Sequence, residues 1–288
     1  MQIIERISAM QRWSETERRS ARRIALVPTM GFLHEGHLSL VRSAKERADR
    51  IVVSIFVNPA QFSPNEDFAA YPRDFERDRR LLEREDIHVL FHPSVGEIYP
   101  EGYETQVDVA RLAMLLCGAY RPGHFQGVAT VVTKLFNIVR PHLAVFGEKD
   151  YQQLQLIRRL VRDLNFDIEI VGHAIVREAD GLAVSSRNVY LGPQERQAAL
   201  CLSRSLRRAA CMVDRGETRS EVITAAVRAR IQEEPLAQVE YVTLCDSATL
   251  KPVEEIRGST LLALAVQIGK TRLIDNQILK HTKESMGK

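Results

Sequence analysis

The chain has 288 residues, 45% hydrophobic and 27% charged, with 40 Lys+Arg against 37 Asp+Glu and a net charge of +3. These proportions are those of an ordinary globular protein and exclude collagen-like, disordered and coiled-coil chains. At this length a single core stops growing, so one large domain and a smaller one are expected.

The N-terminal stretch MQIIERISAMQRWSETERRSARR has no uninterrupted apolar run and no small-residue cleavage site, so it does not read as a signal peptide. No window approaches the roughly 18 apolar residues of a membrane span. The expectation is a reduced, cytoplasmic protein with no membrane partner. Cys117, Cys201, Cys211 and Cys245 form no C-x-x-C pair and are expected as small buried apolar residues.

Short apolar runs bounded by turn residues predict buried strands at Ile24–Val27, Ile51–Val57, Val89–Phe91, Leu143–Phe146 and Ile168–Val171. Helical spacing falls between them: Leu38, Val41, Ala44 and Ala48 after Gly36, then Phe75 to Leu82, and Val128 to Val139. A further helix opens near Asp150 and carries Leu154, Ile157, Leu160 and Val161. Strand and helix in alternation predict an α/β domain with a parallel sheet covered on both faces. After Gly172 the rhythm changes. Residues 194–234 read as two charged helices separated near Gly216, followed by β-rich runs Val239–Leu244 and Leu261–Ile268 and a polar tail. That is a smaller α+β unit, joined between Gly172 and Pro193.

Ligands of open α/β sheets bind at the carboxyl ends of the strands, and three of these ends carry polar groups. The first leads into VPTMGFLHEGHLSL, where His34 and His37 stand three apart around Gly36, just before a helix. Gly31 and Gly36 permit close backbone approach, and a helix start favours an anion, so this turn points to phosphate. The zincin spacing of four between histidines is absent, and Gly36 is followed by His37 where a P-loop needs Lys. Two capping histidines are the bland alternative. The second end, VSIFVNPAQF, offers Asn58 and Gln61, whose amides donate and accept and suit a hydroxy acid; Asn-Pro alone is ordinarily a turn. The end at AVFGEKDYQQL offers Lys149 beside Asp150, with Gln153 one turn into the helix. A cation there neutralises phosphate, and Asp150 doubles as a simple cap. Farther on, GLAVSSRNVY combines Ser185, Ser186 and Arg187, a phosphate clamp or an ordinary Ser/Gly turn. The run Arg121 to Phe125 reads as a turn that starts the helix after Gly127.

Taken in order, PTMGFLHEGH, SIFVNPAQF, YPRD, RPGHFQGVATVV, FGEKDYQQL, READGLAVSSRN and TRLIDN resemble the pantothenate synthetase (pantoate–β-alanine ligase) family, from Ile3 to about Asn276. The wider resemblance is to the nucleotidylyltransferase superfamily with its H-x-G-H signature. It implies a Rossmann-like ATP- and pantoate-binding domain over residues 1–175 and a C-terminal lid over 176–288. The implied reaction is condensation of pantoate with β-alanine through pantoyl adenylate, releasing AMP and pyrophosphate, with ATP and Mg²⁺ required.

By this resemblance His34 and His37 hold phosphates, with His37 serving the leaving pyrophosphate, and Lys149 bridges the α-phosphoryl transition state. Ser185, Ser186 and Arg187 close over the β- and γ-phosphates. Met30, Gly31, Phe32, Leu33, Glu35, Gly36, Gly147, Glu148, Asp150, Val176 and Val184 complete the nucleotide site. Gln61 and Gln153 hold pantoate with support from Asn58, and the family implies a homodimer. Three positions depart from the family pattern: Cys117 replaces a frequent Glu, Arg77 precedes Asp78 where some relatives pair two acids, and Gln126 replaces a frequent Arg. No protein ligand for the metal is therefore assigned. The competing reading from another class is an RNA-binding relative using Arg204, Arg207 and Arg208; its charges alternate with Glu and apolar residues as on a solvated face, so no nucleic acid is expected. A narrower alternative transfers AMP to another acceptor, against which the polar pocket of Gln61 and Gln153 speaks.

Overall fold

The structure is a computed structural model and describes residues 1–62 and 68–280. It divides into two compact units. The first comprises Met1–Met114, Gly118–Glu148 and Gln153–Val176; the second comprises Leu115–Cys117, Lys149–Gln152 and Arg177–Lys288.

In the first unit, strands β1 (Gln2–Ile4), β2 (Ile24–Thr29), β3 (Arg50–Ile55), β4 (Val89–Phe91), β5 (Leu143–Gly147) and β6 (Glu169–His173) form a parallel sheet in the order β1-β4-β3-β2-β5-β6. The helices that follow the chain are α1 (Ile7–Arg19), α2 (Glu35–Lys45), α3 (Phe75–Arg84), the single turns α4 (Val95–Ile98) and α5 (Cys117–Tyr120), then α6 (His124–Val139) and α7 (Tyr151–Asp163). Alternation along the strands sends Ala25, Val27, Ile51, Val53, Leu90 and Val145 to one core. There they meet Leu38, Val41 and Ala44 of α2 and Leu82 of α3. Each Val, Leu or Ile side chain among them contributes about 1.5–3 kcal/mol on burial.

The chain runs from β2 through β3 to β4 on one side, then returns to lay β5 and β6 on the other. The order therefore reverses between β2 and β5, the place where open parallel sheets bind ligands. The three strand ends that carry polar groups belong to β3, β2 and β5, which are neighbours in that order.

Two N-terminal elements escape the periodicity reading. β1 has only three residues, and α1 buries just Met10 and Ser14, too little to print an apolar stripe. The start of α6 is also corrected: it begins at His124 rather than after Gly127, because Gly123 at φ +81° makes the left-handed entry.

The second unit packs α8 (Pro193–Asp214) and α9 (Ser220–Gln232) on an antiparallel sheet of β7 (Ala237–Asp246), β8 (Ser259–Ile268) and β9 (Thr271–Lys280). Leu202, Leu206, Ile223, Val227, Leu264 and Val266 are among its core residues. The expected polar tail is corrected: residues 271–280 form a full strand paired with β8 from Ile268↔Thr271 to Ser259↔Lys280. Residues 281–288 of that tail lie outside the described residues. Cys117, Cys201 and Cys245 are buried, whereas Cys211 is exposed, because it lies on the outward side of α8. Among the described residues no helix is long and apolar enough to cross a membrane.

Candidate active site

The turn after β2 is held by its own backbone. Gly31 adopts φ +81° and Phe32 φ +50°, so two consecutive residues sit in the left-handed region. Such a conformation costs a non-glycine residue about 1–2 kcal/mol and persists only where its surroundings impose it. Asp78 does so: its Oδ2 accepts the Phe32 N–H at 2.6 Å and its Oδ1 the Leu33 N–H at 2.7 Å. Arg77 lies over the Phe32 ring at 5.1 Å. Burial pushes the Asp78 carboxyl above the usual carboxylate range, and the two backbone N–H groups partly oppose that shift. A Cβ on Gly31 would lie 3.0 Å from Ile55 and 3.1 Å from Asp78, so this position is closed to side chains.

The turn delivers His34 to the start of α2, where its carbonyl accepts the His37 N–H at 2.8 Å. Spacing of three on a helix puts side chains on one face, and the two imidazoles stack with centroids 4.0 Å apart and planes at 23°. Glu35, between them, turns away to pair with Arg42. Gly36 lies in the first turn of the same helix.

At the end of β3, Asn58 caps the short turn Pro59–Gln61. Its Oδ1 accepts from Ala60 N at 3.2 Å and from Tyr99 Oη at 2.8 Å; its Nδ2 donates to Gln61 Oε1 and to the Gly127 carbonyl, each at 3.1 Å. Every donor and acceptor of this amide is engaged, so Asn58 acts on its neighbours. Gln61 Nε2 in turn donates to Met30 Sδ at 2.8 Å, tying the β3 end to the β2 turn. The Gln61 carbonyl accepts from His124 Nδ1 at 2.8 Å, and His124 Nε2 lies 3.0 Å from Arg121. Arginine only donates, so the proton of a neutral His124 ring belongs on Nδ1. A cleft of about 610 Å³ opens beside Met30, Gly31 and Phe32, with Phe56, Asp78 and Glu97 among its walls. Among the described residues, neither His34, His37 nor Gln61 lines it.

β5 ends at Gly147, and the turn Glu148–Asp150 leads into α7. Gln153 is half-buried in the first turn of that helix. Its neighbour Gln152 is committed elsewhere: it accepts from Cys117 N at 2.9 Å and donates to the Leu115 carbonyl.

The second unit contains Lys149, half-buried, whose carbonyl accepts from Asn276 Nδ2 at 2.9 Å. It also contains Val184 and the turn Ser186–Tyr190, capped by Ser185 Oγ, which accepts the Arg187 N–H at 3.3 Å. Ser186 is buried and Arg187 half-buried. The root of this segment is braced. Arg196 pairs with Glu178 and Asp180, each at 2.7 Å, and Asn188 Nδ2 donates to Glu178 at 2.8 Å and to the Ala183 carbonyl at 3.1 Å. Val176 ends the first unit. Cys117 Sγ lies 3.1 Å from Tyr241 Oη and 3.5 Å from an Arg272 nitrogen, and Arg272 pairs with Glu240.

Within the first unit, then, Met30, Asn58 and Gln61 form one bonded network and His34 and His37 one stacked pair. The roles of Asp78, Tyr99 and Gly127 have no local signature. Asp78 serves a turn far upstream, and Gly127 matters only because a Cβ there would collide with the Ala60 carbonyl.

The family model for pantoate–β-alanine ligase matches residues 2–278. The pantothenate synthetase of Heliobacterium modesticaldum is 58% identical over 280 residues, covering 97% of this chain and all of that protein. The crystal structure of pantothenate synthetase from Thermus thermophilus superposes with a TM-score of 0.90 at 43% identity, covering 96% of this chain and 99% of that one. That of the Francisella tularensis pantoate–β-alanine ligase, complexed with β-γ ATP and β-alanine, gives 0.80 at 35% identity over 96% of this chain and 97% of that one. The chain belongs to the pantoate–β-alanine ligase (pantothenate synthetase) family.

Proposed function

We propose that the chain joins pantoate to β-alanine in two steps on ATP. In the first, a pantoate carboxylate oxygen attacks the α-phosphorus, the bond from that phosphorus to the bridging oxygen of pyrophosphate breaks, and pantoyl adenylate forms. In the second, the β-alanine nitrogen attacks the acyl carbon, AMP departs with the former carboxylate oxygen, and the nitrogen gives up a proton. A carboxylate approaching a triphosphate sets anion against anion, so the protein must supply positive charge and orientation rather than a nucleophile.

The observation that carries this reading is the Gln61–Met30 hydrogen bond, because it joins an amide suited to a hydroxy acid to the turn that bears His34 and His37. In this reading Gln61 and Gln153 hold pantoate, and Asn58 fixes the Gln61 amide. His34 and His37 hold phosphate oxygens, and His37 donates to the departing pyrophosphate. Lys149 meets the charge that develops on the α-phosphoryl group, and Ser185, Ser186 and Arg187 bind the outer phosphates. Met30–Leu33, Glu35, Gly36, Gly147, Glu148, Asp150, Val176 and Val184 form the nucleotide's surroundings. The Francisella relative's complex with β-γ ATP and β-alanine supports both co-substrates.

Each Asp78 oxygen accepts a backbone N–H group, so the work of this carboxylate is to hold the turn, and no residue is assigned to a metal. Mg²⁺ would arrive with ATP as part of the substrate and would offset phosphate charge there. Residues 1–175 act as the ATP- and pantoate-binding body and 176–288 as a lid that keeps water from the adenylate. A cytoplasmic homodimer is the proposed working form.

Isotope exchange between pyrophosphate and ATP tests the order of events. Exchange that needs pantoate but not β-alanine, with AMP release that needs both, is expected. Exchange without pantoate, or only when β-alanine is present, overturns the adenylate.

A further inference from the structure

Two consecutive residues of β9 reach the two motif-bearing segments of the second unit. Asn276 Nδ2 donates to the Lys149 carbonyl at 2.9 Å. Asp275, with a side chain 1% exposed, takes both arms of Arg177 at 2.7 and 2.9 Å. Arg177 also donates to the Gly181 carbonyl at 3.1 Å and bridges Ala183 through its backbone. These are the root residues of the segment that carries Ser185, Ser186 and Arg187. Asp275 Oδ1 accepts the Asn276 N–H at 2.8 Å, which closes the two arms into one network.

Strand geometry explains why adjacent residues serve different segments. The β8–β9 register is unbroken, so successive side chains alternate faces. Asp275 shares a face with Leu273 and Leu279, which belong to the core under α8 and α9. Asn276 shares the other face with Arg272, which touches Cys117, so that face holds the segments Leu115–Cys117 and Lys149–Gln152. Both residues are buried, Asp275 at 2% exposure and Asn276 at 6%. Buried polar groups in the middle of a strand persist when each is bonded; here Asn276 bonds the Lys149 backbone directly, and Asp275 reaches the Gly181 backbone through the Arg177 guanidinium.

We propose that Asp275 and Asn276 are positioning residues for adenylate formation: Asn276 fixes the Lys149 backbone, and Asp275, through Arg177, fixes the root of the Ser185–Arg187 segment. This rests on the role proposed above for Lys149. A displacement of about 1 Å at a group that stabilises the transition state is worth about 10²-fold in rate, so losing one side-chain hydrogen bond to the lysine's carbonyl is felt in turnover more than in substrate binding.

The test is a double-mutant cycle on pantoate-dependent pyrophosphate release with Lys149→Ala, Asn276→Ala and the pair. Asn276→Ala is expected to lower kcat by about 10²-fold, the scale of such a displacement, with the KM for pantoate changed by less than about 3-fold. In the Lys149→Ala background the same change should do almost nothing, because the group it positions is gone. An equal loss in both backgrounds, or a loss confined to KM, overturns the proposal. Should Asn276→Ala fail to fold, Asn276→Ser, which keeps a donor, is read in the same cycle; if neither folds, the role is structural and the proposal falls. Near-wild-type release by Lys149→Ala sinks instead the parent reading of the lysine, so the two failures are distinguishable.

Discussion

The imidazoles of His34 and His37 lie face to face, with centroids 4.0 Å apart at the N-terminus of α2. Each ring forms one wall of the other's surroundings, so neither is replaced without disturbing its partner. Removing one preorganised donor costs about 10²–10³-fold in turnover. His34→Ala and His37→Ala are each expected to fall in that range in pantoate-dependent pyrophosphate release. The double variant should lose far less than the product of the two, because residues acting as a unit are not additive. Losses that multiply would mean the rings act independently.

Gly127 sits where α6 meets the Pro59–Gln61 turn, and its carbonyl accepts from Asn58. A Cβ there would collide with the Ala60 carbonyl and come within 2.7 Å of Gln61 N. The obstacles are backbone atoms, which cannot rotate aside. Gly127→Ala should therefore push the turn away, cost about 1–3 kcal/mol as overpacking does, and raise the KM for pantoate more than that for ATP. KM values for both substrates unchanged from wild type, at unchanged stability in urea titrations, would show that the turn tolerates the methyl group.

The apolar runs of β2 to β5 were legible because strands covered on both faces must be apolar throughout, and their shortness between turn residues sets them apart from the longer apolar run of α6. The polar groups after β2, β3 and β5 stood out because they gather at neighbouring strand ends, although Asn58 also has a structural task as the cap of its turn. β9 was not, since Arg272, Asp275 and Asn276 break its apolar alternation and are satisfied by Glu240, Arg177 and Lys149, all distant in sequence. α1 hid for want of an apolar stripe. The part played by Asp78 was not legible either, because a sequence shows a carboxylate but not what bonds it; two backbone N–H groups do.

That carboxylate leads to a further prediction. Asp78→Asn keeps the shape but presents a donor to one of two backbone N–H groups, which is then left unsatisfied in a buried place. The cost of such a group is about 1–3 kcal/mol. The affected N–H belongs to Phe32 or Leu33, so the left-handed Phe32 loses its support and the turn to His34 loosens. Expected are a lower urea midpoint and a higher KM for ATP. Phe32→Gly in the same background should recover part of the stability, because glycine adopts that conformation without strain. No recovery would place the damage outside the turn.

The ion pairs of Arg196 predict a pH dependence. Glu178 and Asp180 are both held below their ordinary carboxylate range, chiefly by hydrogen bonds from Arg196. A depressed folded-state pKa contributes stability above the unfolded value, about 4.3 for Glu and 3.9 for Asp, and loses it as pH falls through the folded one. The second unit should therefore weaken as pH drops below about 4.3, the upper edge of that window. The side chains of Glu178 and Asp180 are 36% and 33% exposed, so solvent screening limits each pair to about 0.2–1 kcal/mol. Arg196→Met should flatten this acid limb, and high salt should mimic it in part. Amide exchange across residues 177–190, compared at pH 7 and pH 4 after correction for the intrinsic rate, reads the effect at the root of the Ser185–Arg187 segment. An acid limb as steep in Arg196→Met as in the wild type would assign the pH dependence to other carboxylates.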